Sequence, residues 1–434
     1  MASRFTRSCS PDLETLRPVQ PDWRACRAVC LAVLLGTFLG LQVQSQVLIK
    51  PAEPGDPVTI MPSDLAIFES DDPRREIPCS VVQRKAELGF DLRFHAGYEV
   101  TVPLSEVAGD GGLLTVVFRI RSQADPTSPA YFLQHFSVPT IADDAKGDAL
   151  LDGEINLGEG SYHVDWLMRD RSERICSSSW DVEAALAQKD RPIDLFLSPN
   201  KVAAAPPEPF VNDTEVRPPA PRADALNVKL LVNFAPQDSL SATLQRSDTD
   251  ALVSMLKAIQ RDPRIGKISL VAFNMSDARV VYRQETAEQI DFPALGKALH
   301  TVKLGTVTVQ HLGEKQSETN FLQGLIEQEV GAAAHPDAVI FAGPKAMLKA
   351  DVPQEDLRRI GDVECPVFYM NYNLNPQAVP WKDSISHAIK AFRGTEYTIS
   401  RPRDLWFSTS EMMNHILRTK RSRVATAAIS GGSH

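Results

Sequence analysis

The segment KLLVNFAPQDSLS, at positions 229–241, carries the residues that could do chemistry at the end of a strand. An apolar run leads directly into a turn, and Asn233, Ala235 and Gln237 follow at alternate positions. A divalent cation such as Mg²⁺ takes hard oxygen ligands in near-octahedral geometry. This segment offers two neutral amides and a methyl group, which argues against tight binding of a metal ion.

The motifs of common enzyme classes are missing from the sequence. HExxH, GxSxG and a Walker-type phosphate loop do not occur. AGPK, which ends at Lys345, follows an apolar run, but one glycine and one lysine are too few for a phosphate cradle. Cys365 has no base placed to activate it, so core packing explains it better than nucleophilic chemistry. The sequence therefore predicts a protein that is not an enzyme and that has no cofactor.

The composition limits the class of protein. The chain has 434 residues, of which 43% are hydrophobic and 23% are charged. This length is typical of two or three domains with sizeable cores. Its 46 basic and 55 acidic residues give a net charge of −9, and lysines and arginines are not clustered among aromatic residues. We therefore expect no nucleic-acid partner.

The amino-terminal 46 residues have the pattern of a secretory signal peptide. Arg24 and Arg27 precede an uncharged run at 28–41, and Val43 and Ser45 are small residues spaced for cleavage before Gln46. The run is short for a membrane span, which needs about 20 apolar residues. An uncleaved membrane anchor stays open as an alternative. Either way we expect an exported protein, in the periplasm, at the cell surface or outside the cell.

Residues 47–197 are predicted to form a β-sandwich of the immunoglobulin-like kind. Regularly spaced runs alternate apolar and polar residues, and the region has no convincing helical stretch. The runs at 90–94 and 98–104, joined by HAG, are predicted to form a hairpin. Cys79 and Cys176 fall near the two ends of the region, and a disulfide between facing strands is favoured over two buried free thiols.

Residues 198–226 are rich in proline and alanine and are predicted to be an extended linker. From 227 to 420 the pattern changes to strands that alternate with amphipathic helices. This alternation indicates a mostly parallel sheet covered by helices on both faces. The last segment, 421–434, is predicted to be a disordered tail.

The order of elements from 227 to 418 resembles the von Willebrand factor A domain, which also occurs in exported bacterial proteins with a β-rich amino-terminal region. KISLVAFNMSDARVVYRQ is similar to the second strand and antiparallel edge strand of that family, and ETNFLQGL to its threonine-bearing loop and helix. AVIFAGP is similar to its fourth core strand. The resemblance implies a doubly wound α/β fold.

The same resemblance implies where a metal-ion-dependent adhesion site would lie. The family uses an aspartate and two serines in one loop, a threonine in a second and an aspartate in a third. Here the first loop has Asn233, Ala235 and Gln237, and the third has Ala342 before Gly343; the threonine alone is kept, as Thr319. The resemblance thus implies a degenerate site without a metal, in which Asn233 bonds to neighbouring backbone.

The interpretation of the whole sequence is an exported, non-enzymatic protein that mediates protein–protein contact or assembly. The partner, an unidentified protein, would bind at the edge of the sheet that carries Asn233, Thr319, Gly343 and Tyr372. The N-terminal hydrophobic segment could in addition anchor the protein to a membrane. Alternatives are a metal-dependent adhesin with a non-standard site, an enzyme with a site assembled from scattered residues, and a purely structural envelope protein.

Overall fold

The computed structural model of this protein describes residues 42–43, 46–49, 60–70, 72–206, 208–212, 225–238, 241, 244–301, 317–331, 336–360, 363, 365–374 and 382–430. The chain divides into two compact units, 1–42 and 43–434, and the fold given below is that of the second. Most of the predicted signal peptide, including its apolar run, lies outside the described residues. Among the helices that the structure describes, none is long and apolar enough to cross a membrane.

The amino-terminal part is built almost entirely from strands. They are β1 Gln42–Val43, β2 Val47–Ile49, β3 Ser80–Gln83, β4 Glu87–Leu88, β5 Phe94–Pro103, β6 Gly112–Ser122, β7 Asp125–Val138, β8 Asp148–Leu157, β9 Gly160–Arg169, β10 Ile175–Ala184 and β11 Val202–Ala204. One helix, α1, covers Pro62–Glu69, and short 3₁₀ turns cover Leu104–Glu106 and Gln188–Asp190.

These strands form two antiparallel sheets that pack face to face. One has the order β7-β6-β9-β10 with β2 also on β7, and the other has the order β11-β8-β5-β3 with β4 also on β5. Tyr98 joins the two inner faces, because its ring lies 5.2 Å from Phe118 and 6.0 Å from Trp166 of the opposite sheet. A core of interdigitating aromatic rings is what holds two such sheets together.

Two predictions for this region are wrong. The expected hairpin at 90–104 is one continuous strand, because β5 pairs with β8 without interruption from Phe94 to Pro103 and the in–out alternation runs through HAG. Helix α1 is also present where the sequence predicts none. Two buried arginines that are far from the helix in sequence form hydrogen bonds to it. Arg119 donates to the Phe68 carbonyl at 2.7 Å, and Arg169 donates to Asp64 at 3.1 Å.

The disulfide between Cys79 and Cys176 is present, as predicted. It joins residues 97 positions apart, with a Cα–Cα distance of 6.4 Å. Cys176 is fully buried on β10 next to the segment before β3, where Arg75 forms an isolated bridge to it. The bond thus fastens the start of this region to one of its last strands.

The carboxy-terminal part alternates strands and helices. Its strands are β12 Leu226–Asn233, β13 Ile265–Asn274, β14 Arg279–Ala287, β15 Ala338–Pro344, β16 Val367–Tyr372 and β17 Thr395–Ile399. Its helices are α2 Arg246–Gln260, α3 Phe292–Thr301, α4 Ser317–Glu329, α5 Gln354–Arg359, α6 Ser384–Ala391 and α7 Pro402–Ser430.

The six strands form one sheet with the order β14-β13-β12-β15-β16-β17, in which β14 alone is antiparallel to its neighbour. Apolar side chains of β12 point to both faces of the sheet, as expected of a strand that is buried on both sides. Leu230 packs against α2, α3 and α7 on one face, and Leu231 packs against α4, α5 and α6 on the other. The expectation of a mostly parallel sheet with helices on both faces is met.

The structure differs from the sequence prediction at both borders of this part. In the predicted linker, Val202–Ala204 forms β11 on the open edge of β8, and Phe210 is buried in the core beside Phe234. In the predicted tail, α7 continues to Ser430, and Arg423 within it lies 3.9 Å from the Asp337 carboxylate. Residues 213–224 and 431–434 lie outside the described residues.

Candidate functional site

The inner strands β12, β15 and β16 have their carboxyl ends on the same side of the sheet, and we name this row of strand ends the rim. The three strands are parallel neighbours, with Val232 beside Ala342 and Gly343 beside Asn371. The crevice beyond such strand ends is where open α/β sheets bind ligands. Asn233 and Gly343 therefore do come together, as the sequence predicts.

Asn233 and Gly343 form the tightest contact of the rim. The Asn233 side chain is only 1% exposed, and its Oδ1 accepts a hydrogen bond from the Met275 backbone N–H at 3.0 Å. Gly343 has a φ of +144°, and a Cβ built on it would lie 2.7 Å from the Asn233 Cβ. Only glycine fits this approach. Asn233 is thus bonded to neighbouring backbone, in the manner expected from the sequence.

Ala235 and Gln237 are both buried, but they face different surroundings. Ala235 packs into the apolar cluster that includes Phe273 and Leu322. The Gln237 side chain accepts a hydrogen bond from the Leu374 backbone N–H at 2.9 Å, which ties the loop after β12 to the loop after β16. Neither side chain offers a free oxygen to a ligand centred on Asn233.

Thr319 and Ala342 complete the set of predicted site residues. Thr319 lies in the first turn of α4, and its hydroxyl donates to the Ala350 carbonyl at 2.7 Å. Ala342 is buried in β15 on the face that packs against α2 and α7. Within the part of the chain that the structure describes, no group of three His, Cys, Asp or Glu residues could hold a metal ion.

The sequence prediction missed one buried carboxylate at the rim, that of Asp248. It lies in the first turn of α2 and accepts from the Gln245 backbone N–H, as part of a reciprocal cap. Burial raises the pKa of Asp248, and burial together with the nearby Asp248 carboxylate raises the pKa of Tyr372. In the sequence, Asp248 has the position of an aspartate that caps a helix. That position does not indicate that its carboxylate lies near Tyr372.

A second concave feature opens beside the rim, and we name it the lysine pocket. It has a volume of about 320 Å³. It is lined by Lys345 after β15, by Lys382, Asp383, Ser386, His387 and Lys390 in and before α6, and by Glu396 of β17.

The carboxylates of the lysine pocket are only partly engaged by donors of the protein, because the buried Oδ2 of Asp383 has no hydrogen-bond partner among the described residues. Asp383 caps α6, accepting from the backbone N–H of Ile385 at 3.1 Å and of Ala346 at 3.3 Å. Burial raises the pKa of Asp383 to about 6. Glu396 accepts from Asn371 at 2.7 Å and from Ser386 at 2.5 Å. The pocket thus combines the ammonium groups of Lys345 and Lys390 with the carboxylates of Asp383 and Glu396, of which Glu396 is exposed.

Comparisons with known proteins leave the family open. No protein-family model matches the sequence, and no curated protein matches it. A structural-genomics target, SoR45, is 10% identical over 26% of this chain and 95% of its own, with a TM-score of 0.17. A β-glucosidase from Listeria innocua is 9% identical over 26% of this chain and 17% of its own, with a TM-score of 0.16.

A mutant of the PilB minor pilin from Streptococcus sanguinis matches over a longer stretch. It is 8% identical and covers 80% of this chain and 80% of its own, with a TM-score of 0.25. TM-scores this low carry no argument about fold or function, so the function of this chain has to be inferred from its own geometry.

Proposed function

We propose that this chain is an exported, non-enzymatic protein that binds another protein through the rim of a von Willebrand A-like domain with an incomplete metal site. One observation carries the proposal: the strand order β14-β13-β12-β15-β16-β17, with an antiparallel edge strand. Numbered within its own sheet, this order is 3-2-1-4-5-6, the order of doubly wound folds. The resemblance of residues 227–418 to the von Willebrand factor A domain implies the same arrangement.

The chemistry of the rim supports the incomplete metal site. The Asn233 side-chain oxygen accepts a hydrogen bond from the Met275 backbone N–H, and the Thr319 hydroxyl donates one to the Ala350 carbonyl. A methyl group stands at 235. A Mg²⁺ ion placed there would find an amide and a methyl group where the family has an aspartate and a serine, and the rim carboxylate of Asp248 is used in the cap of α2.

Calorimetric titration with Mg²⁺ and Mn²⁺ tests this part of the proposal. We expect no saturable binding by the full chain at micromolar metal concentrations. Thr319→Val serves as the control variant, because it keeps the shape of the side chain and removes the hydroxyl. Micromolar affinity in the wild type that disappears in Thr319→Val would establish the alternative, a metal-dependent adhesin with a non-standard site.

Export is supported by the disulfide between Cys79 and Cys176, because such bonds persist mainly in oxidising compartments. The facing antiparallel sheets support the immunoglobulin-like class for the amino-terminal domain. In this proposal the amino-terminal domain presents the rim away from the membrane or cell surface.

A photo-crosslinking amino acid at Met347 tests the binding role. Met347 follows β15 near the rim and is 50% exposed, so a label there would touch a bound partner. Leu150, which is 56% exposed on β8, is the matched control position. We expect one defined crosslinked protein in the native envelope fraction from position 347 and none from position 150. Equal crosslinking from both positions, or none from either, would refute the proposed role.

A further inference from the structure

We propose that the disulfide between Cys79 and Cys176 is a site of thiol–disulfide exchange, at which an external thiolate attacks Cys79 and displaces Cys176. The reactant is a thiolate, carried by a small molecule or by a peptide segment of another protein. The inference goes beyond the proposed function and does not depend on the rim. It is drawn from the unequal exposure of the two cysteines and from the arginine that contacts both sulfurs.

The two cysteines differ in their access to solvent. Cys79 lies just before β3 and is partly exposed, and its neighbours Pro78 and Ser80 are exposed as well. Cys176 lies on β10 and is fully buried. An attacking thiolate has to reach one of the two sulfurs, so access decides which sulfur is attacked. Cys79 is therefore the sulfur that receives the attack, and Cys176 is the leaving group.

Arg75 lies against both sulfurs of the bond. Its Nη1 is 3.2 Å from the Cys79 Sγ and 3.5 Å from the Cys176 Sγ, and it also donates to the Ser177 carbonyl at 2.8 Å. A guanidinium beside a sulfur favours the thiolate over the thiol, and a leaving thiol with a lower pKa departs faster. Arg75 thus offsets the cost of releasing a negative charge at the buried Cys176.

The proposed step exchanges one thiolate for another. The attacking thiolate forms a new S–S bond to the Cys79 sulfur while the bond between Cys79 and Cys176 breaks. The electron pair of the broken bond goes to the Cys176 sulfur, so the step needs no oxidant, no reductant and no proton transfer. Its product is a mixed disulfide at Cys79 and a free thiolate at Cys176, beside Arg75.

Backbone hydrogen bonds keep the two cysteines close to each other when the bond opens. The Arg74 backbone N–H donates to the Ser177 hydroxyl at 2.8 Å, and the Ser177 N–H donates to the Arg74 carbonyl at 3.0 Å. The Glu76 N–H donates to the Ile175 carbonyl at 2.8 Å. Cys176 can therefore attack the mixed disulfide in turn and release the bound thiol, so the exchange is reversible.

Reaction of the folded, full chain with an excess of thiol at fixed pH tests the inference. The probes are N-acetylcysteine amide, for a small-molecule source, and a blocked peptide with one central cysteine, for a protein source. Samples are quenched in acid and alkylated in denaturant, and mass spectrometry locates each group. We expect the mixed disulfide at Cys79 and the alkyl group at Cys176. A probe that gives this product faster identifies the source that the site accepts better.

Variants of two neighbouring arginines test the role of the charge of Arg75. Arg75→Gln should slow the reaction of the folded protein by about threefold or more, because the Cys176 thiolate loses its counter-charge. Arg75→Lys keeps a positive charge and should recover most of the rate. Arg74→Gln is the matched control, because the Arg74 guanidinium pairs with Glu76 at 3.3 Å instead of with a sulfur. It should react as the wild type does.

Four outcomes would overturn the inference. They are an adduct at Cys176 instead of Cys79, no reaction with either probe unless the protein is denatured, equal slowing by Arg74→Gln, and a rate in Arg75→Gln equal to or above that of the wild type. The last outcome would mean that Arg75 only fastens the chain to the Ser177 carbonyl. A thermal melt of each variant shows that it is folded. The position of the adduct in the wild type keeps the test valid if Arg75→Gln does not fold.

Discussion

Single residues set the shape of the rim, and Gly343 is the clearest case. Its φ of +144° is a conformation that side chains with a Cβ rarely adopt, and the Asn233 backbone and side chain lie against it. Asn233 in turn holds the turn after β13 through Met275. A change at one of these residues therefore alters the ends of three strands.

Gly343→Ala should lower the free energy of unfolding by about 2 kcal/mol or more, because the new methyl group meets Asn233 atoms at 2.7–2.8 Å in a strained conformation. Gly324→Ala is the matched control: it lies within α4 with nothing within 4 Å of the added Cβ. It should stabilise the protein by up to about 1 kcal/mol. Urea unfolding measures both, and equal effects of the two changes would contradict this account of the rim.

Asp383 should make stability depend on pH. Its pKa in the folded protein is about 6, above its ordinary value of 3.8, so the folded state binds more protons than the unfolded state between these values. The favourable contribution is complete below about pH 4 and is lost as the pH rises through about 6. The wild type should lose on the order of 2 kcal/mol over this range relative to Asp383→Asn, which still caps α6. Urea unfolding at a series of pH values checks this, and identical pH profiles would exclude Asp383 as the cause.

At the scale of elements, contacts between residues far apart in the sequence fix the positions of short elements. Helix α1 packs on the first sheet because Arg119 and Arg169 reach it from β6 and β9. The disulfide fastens the segment before β3 to β10. In both cases a short element with little internal stability is held by a residue far away in the sequence.

The double variant Cys79→Ala/Cys176→Ala should lose about 4 kcal/mol of unfolding free energy, the value expected from the chain entropy of a loop of 97 residues. Cys365→Ala is the control, because Cys365 is a free thiol and only partly buried. Its effect should be about 1 kcal/mol. Denaturation with and without reductant gives the same comparison, and a wild type insensitive to reductant would contradict the prediction.

At the scale of the molecule, the amino-terminal and carboxy-terminal parts contact each other directly. The Arg261 guanidinium, just after α2, lies 3.8 Å from the centre of the Phe196 ring, and Arg93 lies 4.4 Å from the same ring. Arg261 also donates to the Asp91 carbonyl at 3.3 Å. This stacked arrangement joins the two parts without requiring the segment between them.

Phe196→Ala should weaken this contact and separate the unfolding of the two parts into two calorimetric transitions. Each stacked arginine contributes about 1 kcal/mol, which the variant loses together with the ring's own packing. Val424→Ala, at a side chain that is 62% exposed on α7, is the control and should leave the transition of the wild type unchanged. A single, unshifted transition in Phe196→Ala would show that the contact does not couple the two parts.

Much of the fold was predictable from local patterns. The strand that ends at Asn233 and the two strands in KISLVAFNMSDARVVYRQ are close to their predicted positions, because alternation and apolar runs are properties of neighbouring residues. The continuity of strand β5 was not predictable: HAG has the composition of a turn, but pairing with β8 keeps it extended. Helix α1 and strand β11 escaped prediction for the same reason, since each is held by partners outside its own segment.

The candidate sites divide in the same way. The closeness of Asn233 and Gly343 followed from the rule that parallel strands end at one edge, so the sequence was sufficient to predict it. The hydrogen bonds of Thr319 to Ala350 and of Leu374 to Gln237 were not predictable, because each joins residues that are far apart in the sequence.

The sequence by itself determined the alternation of strands and helices, the pair of cysteines that bond, and the absence of carboxylates from residues 233–237. These depend on residue type and on short spacing. The tertiary structure alone decided the lysine pocket, because Lys345, α6 and Glu396 come from three separate segments that the sheet order brings together. A cavity is a property of packing in three dimensions, and no local pattern records it.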